Sequence, residues 1–312
     1  MSSPSSPNPN LPDPENENGG KKADAATSSG LKQVRAEQRR QLFTSPGFLI
    51  GLFITGFWTL AAIFPSLLTS RLPNEVVRVD GSVIARQGPS SDAWFGTDAI
   101  GNDVYTRVIY GTRNVLIMAP VAALLAVIAG AILGLLMGYL RGWIDEILSR
   151  IIEAILSLPV ILLALMVLVF FGNSRIVIVL TVASLFAVVV ARTVRAAVIG
   201  ETELDYVTSA KLRGESGWYI MTREILPNIT GVFVVEFTVR VGYAIFTIAT
   251  LAFLGLTAAD ATAADWGNDI ANSYRLIVSD QWWPSIFPAI AIASLVIGVN
   301  LMADSIEEVT SQ

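Results

Sequence analysis

Six apolar runs constrain this chain more than any other feature of it. They cover approximately Gly47–Leu68, Asn114–Leu140, Ile151–Phe171, Ile176–Ile199, Ile229–Leu256 and Pro284–Met302. Each is close to the ~20 residues that a bilayer-spanning helix requires. Lipid offers backbone groups no water to bond with, so such runs fold as helices whose hydrogen bonds are all internal. The expected fold is therefore an all-α polytopic membrane protein with six transmembrane helices. A chain of 312 residues that is 53% hydrophobic, with a mean hydropathy of +0.59, agrees with that class and is far more apolar than a soluble globular domain.

The segments outside the runs divide the chain. Residues 1–44 form a tail, rich in Pro, Ser, Asn and Glu to about Gly30 and then charged and helical in composition from Leu31 to Arg40. Such composition predicts disorder for the first part. It is not a secretory signal, because no apolar core follows until Phe48 and that run is long enough to stay as a span. Residues 45–70 are the first span, 71–113 a loop, 114–305 the core with a polar loop at 201–227, and 306–312 the C-terminal end. Basic residues concentrate on the cytoplasmic side of membrane proteins. Placing the N-terminus inside puts Arg35, Arg39, Arg40, Arg141, Arg150, Arg192, Arg195, Lys211, Arg213 and Arg223 there, with both termini cytoplasmic and the 201–227 loop facing the cytoplasm. The segment Ala258–Trp283, with Asp260, Asp265, Asp269 and Asp280 against Arg275 alone, then lies outside.

Several chemistries are excluded. The chain has no Cys and no His, which removes disulfides, thiol chemistry and the commonest metal ligand and proton shuttle. No metal site and no catalytic residue is expected, and a net charge of −5 gives no reason to expect a nucleic-acid partner. Its only lysines are Lys21, Lys22, Lys32 and Lys211, and no Gly-x-x-x-x-Gly-Lys occurs, so the chain cannot cradle the phosphates of ATP itself.

The polar interruption Glu201–Pro227 carries the clearest local signals. Leu204, Val207 and Leu212 interleave with Glu203, Asp205, Thr208 and Lys211, which predicts a short surface helix over Glu201–Leu212. Gly214 stops it, because a Gly just past the last turn takes the left-handed conformation cheaply. A second short helix follows and Pro227 ends it. The expected product is a helix-turn-helix with the small residues Thr208, Ser209 and Ala210 outward. An ordinary amphipathic connector would share the helical composition.

In the 71–113 loop, Glu75–Arg86 alternates apolar and polar around Asp80-Gly81, a two-residue type I′ hairpin signal. Thr97 or Asp98 suits the cap of a short amphipathic helix. Within the spans, Gly130, Gly134 and Gly138, preceded by Ala126, make one face of small residues where another helix can approach, either within the chain or on a partner subunit. Glu236 and Arg240 are four apart and can pair. By the ~1.5 Å rise per residue Arg240 stands roughly 15 Å above the cytoplasmic end of its span, where a charge facing lipid costs ~2.5–3.5 kcal/mol or more. The pair either borders a translocation path or is a buried structural ion pair.

Two stretches resemble known patterns. Thr208-Ser209-Ala210, Gly214 and Leu226-Pro227 keep the spacing of the EAA loop of permease subunits in ATP-binding-cassette (ABC) importers, with Thr208 standing where the motif has Glu. Gly96-Thr97-Asp98, Gly101-Asn102-Asp103, Arg107 and Tyr110-Gly111-Thr112-Arg113 resemble the dipeptide/oligopeptide/nickel group of those permeases, with Asn102 in place of its Arg. Arg150, Glu153 and Pro159, then Leu251–Leu256, Asp265-Trp266-Gly267, Trp283 to Pro288 and Asn300–Asp304 continue the match, and Ile248 stands where many members have Glu.

The resemblance implies an inner-membrane permease without a cofactor of its own. It would pair with a homologous permease, sit on one or two ATPase subunits that bind the ATP, and receive peptides or a related small solute from an external binding protein. Leu204, Asp205, Thr208, Ser209, Ala210, Gly214 and Pro227 would couple it to the ATPases, and Glu236 and Arg240 would border the path. A self-sufficient secondary transporter or channel is the alternative, for which six spans also suffice; it predicts inverted repeats, and none is visible in the sequence.

Overall fold

In the computed structural model the described residues are 37, 40–256 and 263–310. The tail before residue 37, including most of the charged Leu31–Arg40 stretch, and Asp260 lie outside them. The helices are α1 (Pro46–Ile63), α2 (Val104–Leu140), α3 (Gly142–Leu156), α4 (Val160–Phe171), α5 (Arg175–Thr202), α6 (Asp205–Leu212), α7 (Thr230–Phe253), α8 (Trp266–Ser273) and α9 (Trp283–Thr310). Among the described residues five helices, α1, α2, α5, α7 and α9, are long and apolar enough to cross a bilayer, and α3 with α4, sharply bent, makes either a sixth, broken span or a re-entrant loop.

That break corrects the expectation of one helix over Ile151–Phe171. The span begins at Gly142 and bends by 91° between α3 and α4. Pro159 is the cause. It has no N–H to continue the ladder, its ring excludes the carbonyl four residues back, and it drives Leu158 out of the helical region. Pro159 itself is extended, at φ −59°, ψ 127°. The Ser157 hydroxyl meanwhile donates to the Ala154 carbonyl at 2.7 Å, taking up an acceptor freed by the break.

The packing of α2 on α5 is the spine of the bundle. A Cβ added to Gly130, Gly134 or Gly138 would come within 2.5, 2.6 and 2.7 Å of the Cβ of Val190, Val194 and Val198. The face of small residues therefore packs within the chain. The constant offset of sixty shows that α2 and α5 run parallel and in register over about two turns. Beside them α7 packs on α2 and on α9, and α9 on α1. At close approaches glycines admit the neighbour: Gly51 abuts the backbone carbonyl of Gly298, and Gly242 abuts Asn300. The main core fills the centre with Ala119, Ala122, Val182, Ala244, Ile245 and Leu295.

Between α1 and α2 the chain leaves the bundle. Its hairpin is as expected: Arg78–Val79 (β1) pairs antiparallel with Ser82–Val83 (β2), Val79 faces Ser82, and both turn residues have positive φ, 51° at Asp80 and 79° at Gly81. The cap is elsewhere than expected. Asp98 accepts from the Ile100 and Asn102 backbone N–H groups at 2.9 and 2.8 Å, tying a turn rather than a helix. Asp103 caps α2, accepting from the Thr106 hydroxyl at 2.6 Å and its backbone N–H at 3.4 Å. The second span thus starts ten residues before Asn114, and at 37 residues is about 55 Å long, so it projects beyond the bilayer.

The insertion is held down by tryptophan and arginine. Trp266 is fully buried, donates its indole N–H to the Val108 carbonyl at 2.7 Å and meets Trp58 edge-on at 5.0 Å. Gly111 leaves room for its ring, and Gly267 lets the chain pass against the Ala249 carbonyl. Trp283 donates to the Thr97 carbonyl at 3.0 Å, joining the insertion to α9. Arg107 bonds Asp269 Oδ1 through Nε at 3.0 Å and Asn74 Oδ1 at 3.2 Å, linking α2, α8 and the segment after α1. Burial pushes the Asp269 carboxyl up to about 6 despite Arg107, and its Oδ2 has no hydrogen-bond partner among the described residues.

Two outcomes follow. Gly134→Val should force α2 from α5 and cost about 1–3 kcal/mol, as overpacking does, lowering the thermal unfolding midpoint in detergent. Gly56→Ala, with nothing within 4 Å, should leave that midpoint in place. Asp269 is protonated more readily in the fold than in the unfolded chain, so it makes stability fall as pH rises from about 4 to about 6 and contributes no slope above that, at most about 3 kcal/mol in all. Unfolding midpoints at pH 5 and 7.5 should therefore lie closer together in Asp269→Asn than in the unaltered chain.

Candidate coupling surface and membrane ion pair

The loop after α5 is two short helical limbs joined at Gly214. Glu201 and Thr202 complete α5 instead of opening the surface helix, and the first limb, α6, starts at Asp205 with Leu204 extended at its N-cap. The helix thus starts four residues later than expected, because the chain first turns through Glu203 and Leu204. Tyr206 reaches back to donate its hydroxyl to Glu201, and burial and that carboxylate push the phenol up to about 12.

Gly214 takes φ +77° with nothing within 4 Å of a Cβ added there, so only its backbone conformation demands glycine. Its N–H donates to the Lys211 carbonyl at 3.0 Å, and that of Glu215 to the Ala210 carbonyl at 3.2 Å. These two bonds are a Schellman stop. Ser216 then caps the second limb, accepting from the Tyr219 N–H at 3.2 Å. Arg213 crosses between limbs to Glu224 at 3.2 Å.

The second limb runs Gly217–Tyr219, widens into a π-helix over Ile220–Ile225 and closes at Leu226–Asn228. Pro227 does not end it. The widened stretch accommodates the proline ring, and the helix breaks two residues later at Ile229, with φ −97° and ψ 13°, before entering α7. The second limb therefore leads almost directly into a span.

One face of this pair is rooted in the bundle. Val207, Ala210, Ile220 and Ile225 are buried with Val190, Val194 and Val198 of α5. Ala210 thus faces inward, contrary to the expectation that all three small residues point out: the apolar Val207–Ala210 pair lies one turn apart on the side that meets α5. Thr208 and Ser209 do face solvent, as do Asp205 and Pro227. With them stand large apolar side chains. Leu212 is 85% and Trp218 71% exposed, beside exposed Leu204 and Tyr219. Their signal was present, since large apolar groups in a polar loop have no solvation reason to be there.

In α7, Glu236 and Arg240 pair at 2.9 Å and both side chains are nearly buried. The guanidinium also lies 5.4 Å from the ring centre of Tyr243, which is 55% exposed. The sequence brought out the charges and not the tyrosine, one turn further on. The pair is thus formed within one helix, with an aromatic face between it and the outside of the chain.

Comparison with known proteins fits this geometry. Residues 130–311 match the family described as the binding-protein-dependent transport system inner membrane component. The chain is 34% identical over 302 residues, 97% of its length and 94% of the relative's, to a dipeptide transport system permease protein of Alkalihalophilus pseudofirmus. It is also 34% identical to a dipeptide transport system permease protein of Bacillus subtilis, over 94% of this chain and 90% of that one. A glutathione transport system permease protein of Pectobacterium atrosepticum is 36% identical over 71% of this chain and 73% of its own. With the Gly214 turn and the glycine–valine contacts of the α2–α5 spine inside the matched region, and the dipeptide relative aligned over 97% of the chain, the chain belongs to the family of binding-protein-dependent transport inner-membrane components, the permease subunits of ABC transporters.

Proposed function

We propose that the chain imports peptides handed over by an extracytoplasmic binding protein, together with a homologous permease, and that one or two ATPase subunits bound beneath the 201–227 loop supply the energy. The observation that carries the coupling role is the two-sided loop itself. Its inner face is continuous with α5 through Val207, Ala210 and Ile225, and its outer face presents Thr208, Ser209, Leu212 and Trp218. A push on that outer face is transmitted to α5 directly and to α7 across Ile229. Closure of the ATPases on ATP would therefore rock two spans as rigid bodies. The names of the dipeptide and glutathione relatives support a peptide as cargo.

This reading sets the orientation. The loop and both termini face the cytoplasm, in keeping with the basic residues Arg141, Arg150, Arg192, Arg195 and Arg213 at that end. The hairpin insertion and α8 face outward, where a binding protein docks. Thr208 supplies no carboxylate to the ATPase groove, so the contact there rests on shape and apolar burial.

In the membrane, Glu236 and Arg240 border the path. Glu236 holds the guanidinium near the middle of the bilayer, where an unpaired charge is costly. Tyr243 beside it offers a ring that a passing ammonium or guanidinium can share. The pair supplies both signs of charge for the ends of a peptide without leaving either bare.

Two experiments test this. Gly214→Val should lower recovery of ATPase subunits with the tagged permease at least tenfold, because a β-branched residue resists positive φ, whereas Gly214→Asn, which tolerates it better, should keep most of them. Equal ATPase recovery by both variants would remove the hinge. For the path, Glu236→Gln with Arg240→Gln, which removes both charges together, should leave the complex assembled and slow peptide uptake by tenfold or more. Loss of assembly with uptake per complex unchanged would make the pair structural.

A further inference from the structure

A cleft of about 730 Å³ opens between α1, α2, α7 and α9; no residue of the coupling loop lines it, and its α7 wall, Phe237, Thr238 and Val241, flanks the Glu236–Arg240 pair without including either charge. Its walls are almost wholly apolar, with Ile63 on α1, Leu116, Ile117 and Pro120 on α2, and Val299 and Met302 on α9. The polar exceptions are Thr55, Thr59, Thr238 and Arg113, and the one charged group among them is Arg113. This side chain is exposed and has no ion-pair or hydrogen-bond partner among the described residues, unlike Arg107, Arg195 and Arg240, each of which holds a carboxylate.

The height of Arg113 follows from the register of the spine. The offset of sixty between α2 and α5, taken from Gly130, Gly134 and Gly138 against their valines, sets Arg113 level with residue 173, two before the start of α5 at Arg175. The apolar stretches of α2 and α5 begin just after these two arginines. Arg113 therefore stands at the rim of the hydrocarbon on the insertion side. Leu116 and Ile117 lie directly beneath it, and Pro120 about 10 Å further down.

We propose that this cleft is a phospholipid site, with the lipid phosphate on Arg113 and one acyl chain lying along Ile117, Pro120 and Met302. A guanidinium at the membrane rim, without a carboxylate, is matched by the anion that every headgroup layer supplies, and its planar fork suits phosphate oxygens. An apolar cleft opening below the same residue and into the bilayer is filled by hydrocarbon and not by water. Cation above and apolar trough below are the two halves of one amphiphile.

The test is native mass spectrometry of the intact transporter, purified in mild detergent, with its retained phospholipid quantified. The unaltered chain should retain phospholipid through purification. Arg113→Gln should reduce it at least fivefold, and so should Ile117→Trp, which fills the cleft and leaves the arginine alone. Both positions are exposed, so neither change burdens the fold. After detergent delipidation, added phosphatidylglycerol should raise the unfolding midpoint of the unaltered chain and not that of Arg113→Gln. The same lipid content in all three proteins would overturn the proposal. So would a photo-crosslinker at Ile117 that captures the second permease in place of lipid.

Discussion

The contact on which this molecule depends is the one between the small-residue face of α2 and the valines of α5. Three glycines spaced four apart let two helix backbones meet at a distance that any side chain would forbid. In lipid, where helices gain little from hiding apolar surface from one another, such close packing is the main source of attraction. It has a mechanical consequence as well. The lower part of α5 is clamped on one side by α2, and the same valines that fill the glycine face, Val190, Val194 and Val198, present their other flank to Val207, Ala210 and Ile225 of the loop. One row of residues therefore joins the most rigid pair of spans to the surface on which an ATPase would act. A looser spine would absorb such a push instead of passing it on.

The two ends of the bundle are built on different principles. At the loop end, order comes from backbone devices: a Schellman stop at Gly214, a serine cap at Ser216 and a π-helix ahead of Pro227. None of these buries much surface, so the outer face of the loop stays open to a partner. At the insertion end, order comes from buried indoles and an arginine. Trp266 and Trp283 each spend their one donor on a backbone carbonyl of α2 or of the insertion, and Arg107 collects Asp269 and Asn74. That end is knitted to α2, α8 and α9 at once. It forms a firm platform, whereas the loop end is two limbs joined by a single turn.

The sequence made the apolar runs, the hairpin and the Gly214 stop legible because each rests on a local rule. Run length reports a span, Asp80-Gly81 reports a I′ turn, and a glycine after a helical stretch reports positive φ. What escaped was set by contacts distant along the chain. Ala210 turned inward because Val194 and Val198 lie beneath it, and nothing in Thr208-Ser209-Ala210 itself distinguishes the three. The cap of α2 moved from Asp98 to Asp103 because Asp98 was already committed to its own turn. The start of α6 at Asp205, rather than Glu201, came from the length of α5, which composition cannot mark where polar helix follows apolar helix. Exposed Leu212 and Trp218 were readable as apolar residues but not as outward ones.

Pro159 shows how little of a bend one local rule determines. A proline preceded by Leu158 announces a kink, yet whether a span bends by a few degrees or by 91° depends on what lies on the inside of the bend. Below the break, Ile152 is drawn to Met137, Val188 and Ala191. Above it, Ala164 and Leu168 are drawn to the main core with Val182. The Asp145 carboxylate further fixes the lower half by accepting from Arg195 Nε at 2.6 Å, eleven residues before α3 ends. Each half thus follows its own partner, and the proline only removes the hydrogen bond that would have kept them collinear. The elbow Ser157–Pro159 is left exposed on the side away from both clusters. A span anchored at two heights, with a free elbow between, can change its bend angle without unpacking either anchor, which a straight helix pressed along α5 could not do.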